Sequence, residues 1–133
     1  MANLDMDGPF DLDKRVVQAS VTQPLPGTFA IGHKDKAGRF QVQYIGRDDQ
    51  NLAQALMIAV NRGIGKPGLF GRMLGGKPVA NAFKFSYAST AQAAYEKQCR
   101  NYHAFGEGRS LENREHPKPP QGSGFKCPIC GAA

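Results

Sequence analysis

The sequence predicts an α+β domain: a small, three-stranded, mainly antiparallel sheet with flanking helices in the order β-β-α-β-α, followed by a tail without periodicity. Three observations carry this. Residues 28–32, 40–46 and 82–87 form short runs, the last two with alternating apolar and polar residues, as strands do. Leu52, Ala55, Leu56, Ala59 and Val60 recur at the spacing of one helical stripe, and Ser89 with Gln92 opens a second helical run. Beyond Glu107 no period survives, and His116-Pro117-Lys118-Pro119-Pro120 excludes regular structure there.

In chain order, residues 1–23 read as an acidic tail that ends in a short strand at 15–21, before Pro24 and Pro26. Residues 24–115 form the domain, and 116–133 a Pro- and Gly-rich tail. The runs 28–32 and 40–46 flank a charged turn containing Gly38, so they pair as an antiparallel hairpin. Asp48, Asp49 and Asn51 supply oxygens for the free N–H groups of the first helix, which stops at Gly63. Residues 63–78 then read as a long surface loop, or a loop with one helical turn, anchored by Leu69, Phe70, Met73 and Leu74. Strand 82–87 leads to a helix from about Thr90 to Phe105, with Gly106 as its stop.

A hydrophobic content of 41% with 21% charged residues describes a globular chain rather than a disordered one. No run of about 18 apolar residues is present, which excludes a membrane span, and the acidic start has no apolar core of a secretory signal; a cytoplasmic protein is expected. The net charge is +6, unevenly spread. Asp5, Asp7, Asp11 and Asp13 crowd the start, whereas residues 50–95 hold Arg62, Lys66, Arg72, Lys77 and Lys84 with no carboxylate. Such a stretch is either a phosphate-facing surface or a solvated basic loop.

All three cysteines fit one metal site. Cys99 and His103 stand four apart, about one helical turn, so both project from one face. Cys127 and Cys130 form a C-x-x-C knuckle, and two thiolates so spaced suit a tetrahedral ion, for which Zn²⁺ is the default. The expected ligands are Cys99, His103, Cys127 and Cys130, with His116 as the rival to His103. Four protein ligands leave no open position, so this metal would be structural.

Gly27-Thr28-Phe29, then Tyr44-Ile45-Gly46, Asn51-Leu52 opening a helix, Glu96 on the next helix and Asn113 after it resemble the GIY-YIG nuclease family over roughly residues 25–115. The resemblance implies a domain that binds DNA or RNA and cuts a phosphodiester with one Mg²⁺ or Mn²⁺ held by the helix glutamate. It places Tyr44 at the second-motif tyrosine, Glu96 at the metal-binding glutamate and Asn113 at the following asparagine. The chain departs from the pattern twice. Phe29 stands where the family has a tyrosine, and Gln54 or Ala55 where it has its arginine, leaving Arg47 or the loop's Arg72 as stand-ins. Loss of one such charge contact costs about 100- to 1000-fold in rate. The expectation is therefore nucleic-acid binding with weak hydrolysis at most, or a non-catalytic module that presents a surface to a protein partner.

Overall fold

A computed structural model describes residues 3–65 and 78–132. Its sheet has four strands, β1 (Asp7–Asp11), β2 (Gly27–Lys34), β3 (Phe40–Asp48) and β4 (Ala82–Tyr87), in the spatial order β1-β4-β2-β3. Every neighbouring pair is antiparallel. The helices are α1 (Lys14–Ser20), α2 (Leu52–Arg62), α3 (Ala91–Ala104) and the short α4 (Glu107–Ser110). None of them is long and apolar enough to cross a membrane.

The sheet is larger than the expected three strands because the acidic start is not a free tail. Phe10 of β1 packs on the rings of Phe83 and Phe85, with centroids 5.5 and 5.6 Å away. Leu4 is buried, and Asn101 of α3 donates to its carbonyl. Lys97 of α3 reaches both the Asp5 carbonyl and Ser86 Oγ. The segment expected as a strand at 15–21 is helix α1 instead. Asp13 caps it by accepting from Arg15 N at 2.7 Å, and Val17 and Val21, four apart, turn one face into the core.

Strand β2 is central, and its alternation divides the interior between two sides. Phe29 and Ile31 face α1 and α2, where Val17, Val21, Leu52, Leu56, Phe83 and Phe85 complete the larger core. Ala30 points the other way and, with Ile45 of β3, meets Tyr102 of α3 and Leu111. The β2–β3 turn closes on Asp35, whose carboxylate accepts from Ala37 N and Arg39 N at 2.9 Å each. These bonds, the one from Arg39 foremost, hold that carboxyl below its usual range.

Of the residues expected at the start of α2, Asp48 accepts from Gln50 N and Asn51 N at 2.7 Å just ahead of the helix, Asn51 stands at the N-cap with no side-chain bond to the helix, and the Leu25 carbonyl accepts from Leu52 N at 2.9 Å. Gly63 ends the helix in the left-handed conformation at φ 70°. The loop expected to follow, with Leu69, Phe70, Met73 and Leu74, lies outside the described residues.

Gly46 of β3 is required by contact. A Cβ there would lie 2.3 Å from Cζ of the Phe29 ring. Gly46→Ala is therefore expected to destabilise the fold by about 1–3 kcal/mol, the usual cost of overpacking. Urea unfolding would show this as a lower midpoint, and an unchanged midpoint would contradict it.

Candidate functional site

At the end of α3 four metal-ligating side chains meet. The ligand atoms of His103, His116, Cys127 and Cys130 all lie within 4.8 Å of one another. His103 Nε2 is 3.2 Å from His116 Nε2, which is 3.4 Å from Cys130 Sγ. Both rings are oriented through their other nitrogen. Glu107 Oε2 lies 3.2 Å from His103 Nδ1, and the Pro117 carbonyl 2.8 Å from His116 Nδ1. An acceptor at each Nδ1 places the proton there and turns both Nε2 lone pairs inward.

The knuckle itself follows from Gly131, whose amide donates to Cys127 O at 2.9 Å, while Ile129 N points at Cys127 Sγ at 3.4 Å. Burial pushes the Cys127 thiol up, but the amides of Cys130 and Ile129, with His116 and the Cys130 thiol, outweigh burial and bring it down to about 6. That shift favours the thiolate, the form that binds metal.

Cys99 has the opposite character. It is fully buried beside Tyr95 and Cys127, under Phe125. Burial, reinforced by Cys127 and only partly offset by the hydrogen bond to Tyr95, pushes its thiol up to about 12. The grouping that the structure brings together is His103, His116, Cys127 and Cys130, which shares His103, Cys127 and Cys130 with the expected set and has His116 where that set has Cys99. The helix delivers His103 to the cluster while Cys99, one turn earlier, packs into the interior, and the segment after α4 supplies His116.

A cleft of about 370 Å³ opens beside β3. Phe29, Tyr44, Arg47, Ala55, Arg62 and Gln98 are among its walls. Ala55, Ile58 and Arg62 fall at i, i+3 and i+7 of α2 and so share one stripe facing it. Burial pushes the Tyr44 phenol up, and the Arg62 charge acts against that shift. Arg62 is exposed, with no ion pair among the described residues. Arg47 is held firmly. Its guanidinium pairs with Asp49 through Nε–Oδ1 at 2.7 Å and Nη2–Oδ2 at 3.3 Å, donates to Gln98 Oε1 at 2.8 Å, and lies 5.0 Å from the Tyr95 ring centroid.

The remaining expected site residues are dispersed. Asn113 clamps the edge of β3, accepting from Ile45 N at 2.9 Å and donating to Ile45 O at 2.6 Å, directly behind Tyr44 and Gly46. Glu96 accepts from Gln92 on its own helix at 3.2 Å and does not line the cleft; Gln98 is the α3 residue that does. Lys84 sits 5.6 Å from the Phe40 ring centroid and is not in the cleft wall. Lys66, Arg72 and Lys77 lie outside the described residues. Two participants went unassigned in the sequence: Glu107, legible as a carboxylate four residues after His103, and Gln98, for which no signal was present.

Metal content distinguishes the two cysteines. His116→Ala and Cys130→Ser are expected to lose bound metal, and Cys99→Ala to retain about one equivalent per chain, as read by elemental analysis of purified variants. Metal loss in Cys99→Ala with retention in His116→Ala would reverse the assignment. No family model, curated protein or solved structure matches this chain.

Proposed function

We propose that this chain is a nucleic-acid-binding domain on a GIY-YIG-like scaffold, tied together by a structural zinc ion, and that it holds the phosphodiester backbone without cutting it. One observation carries the reading. The Tyr44 ring, the fixed Arg47 guanidinium and the exposed Arg62 guanidinium share one cleft. Arg62 lines the face left open by Ala55, two helical turns earlier on the same stripe. A guanidinium with free donors in a concave wall is suited to a phosphate, and an aromatic ring beside it suits a sugar or base.

Hydrolysis has less support. A Mg²⁺ or Mn²⁺ ion needs free carboxylate oxygens. Among the described residues lining the cleft, Asp49 is paired with Arg47, Asp48 accepts from the amides of Gln50 and Asn51 just ahead of α2, and Gln98 offers only a neutral carboxamide. Phe29 supplies a ring with no hydroxyl, and Glu96 is turned to Gln92.

For the metal cluster, zinc fits the donors. Zn–N near 2.0 Å and Zn–S near 2.3 Å require tetrahedral edges of about 3.3 Å between nitrogens and about 3.5 Å between nitrogen and sulfur. The separations of 3.2 and 3.4 Å are of that size. Two imidazoles and two thiols complete the shell, so the ion would serve the fold.

Binding of labelled DNA and RNA oligonucleotides across a salt series tests the reading. Affinity is expected to fall steeply with salt, and Arg62→Ala to weaken it about fivefold and to lower the salt slope by about one phosphate contact. A protein partner seated by apolar contacts would tolerate salt, and salt-independent binding would overturn the proposal. With Mg²⁺ or Mn²⁺ added, no cleavage is expected; turnover abolished by Glu96→Gln would restore the hydrolytic reading.

A further inference from the structure

A second hollow, of about 490 Å³, adjoins the cleft, and Tyr44 and Gln98 line both. Its far wall is the segment after α4, including Arg114, His116 and Lys118. That wall is fixed at three points. Glu112 N donates to Gln43 O at 2.7 Å, Asn113 clamps Ile45, and His116 belongs to the metal cluster. The two hollows thus share a wall at Tyr44 and Gln98, and side by side they outline a candidate groove whose distal side is the segment after α4.

The charges along it are unequal in availability. Arg47 is committed to Asp49, and Lys118 to Glu115 at 3.3 Å. Arg62 in the first hollow and Arg114 in the second are both exposed and have no ion pair among the described residues. Glu112 is the carboxylate in the second hollow for which no such pair is found. Each hollow falls within the roughly 300–1,000 Å³ that accommodates one small ligand. Two such hollows sharing an aromatic wall, with a free guanidinium in each, suit linked units joined by anions.

We infer that the groove binds a single nucleic-acid strand along its length, with Arg62 and Arg114 contacting separate phosphates and Tyr44 supporting the base or sugar between them. This rests on the proposed nucleic-acid-binding reading and adds the form of the ligand and the second contact. Arg114 thereby becomes a binding residue, and the metal cluster becomes the support of half the site.

Strand length is the discriminating variable. Labelled DNA and RNA single strands of about three and about nine nucleotides, and a duplex of the longer sequence, would be titrated against the parent, Arg62→Ala and Arg114→Ala. The longer strand is expected to bind at least tenfold tighter than the shorter. Arg114→Ala should weaken the longer strand about threefold to tenfold, lower its salt slope by about 0.7, and leave the shorter strand unchanged. Arg62→Ala should weaken both. Circular dichroism and metal content should match the parent in both variants, since each side chain is exposed. Length-dependent binding that ignores Arg114→Ala, or a duplex bound more tightly than the strand, would overturn the inference while leaving the first cleft intact. Binding of neither length, or binding indifferent to Arg62→Ala, would instead remove the nucleic-acid reading and this inference with it.

Discussion

Two imidazole nitrogens and two sulfurs that converge at the end of α3 set how the chain beyond α4 is held. From Leu111 to Ala132 there is no helix and no strand, so few backbone hydrogen bonds oppose the conformational entropy of that stretch, about 1–2 kcal/mol for each residue fixed. Apolar burial there is small, with Leu111, Pro117 and Cys127 as its buried apolar side chains. A cation joining His103 of a rigid helix to His116, Cys127 and Cys130 would supply what the tail lacks, because metal binding to a site absent from the unfolded chain is folding free energy. The hydrogen bonds that each Nδ1 donates, to Glu107 and to the Pro117 carbonyl, orient the ligands before any ion arrives.

The same segment solves a second problem, the open edge of β3. An edge strand presents unpaired amides and carbonyls that invite association with another chain. Here Asn113 uses its carboxamide as one rung of a missing strand, meeting both the N–H and the carbonyl of Ile45, and Gln98 adds a bond to that carbonyl at 3.3 Å. Arg47, on the same side as Ile45, is then fixed by Asp49, Gln98 and the face of Tyr95. Tyr44 and Gly46 point to the opposite side, where Phe29 and α2 receive them. One strand thus sends Arg47 and Tyr44 to opposite faces, and the cleft at its edge takes lining from both.

Periodicity made most of the fold legible. The hairpin, the stripe of α2 and the strand 82–87 stand where the spacing places them, because each buries an apolar face large enough to impose its own period. The start of the chain was harder to read, since Leu4, Phe10 and Leu12 lie among four aspartates and gain their burial only from residues distant in sequence. Valines at 16 and 17 suggest a strand, yet the Asp13 cap and the Val17–Val21 spacing favour the helix. At the metal cluster the residue types were legible and the partner choice was not. Cys99 and His103 are equivalent in spacing, and only the depth of Cys99 beside Tyr95 separates them.

The most direct test of this account is the metal-edge X-ray absorption spectrum of the purified protein. It predicts zinc at about one equivalent with a first shell of two nitrogens near 2.0 Å and two sulfurs near 2.3 Å. A shell of one nitrogen and three sulfurs would put Cys99 in place of a histidine. A protein that binds no zinc would leave the cluster without its cation and the account without its foundation.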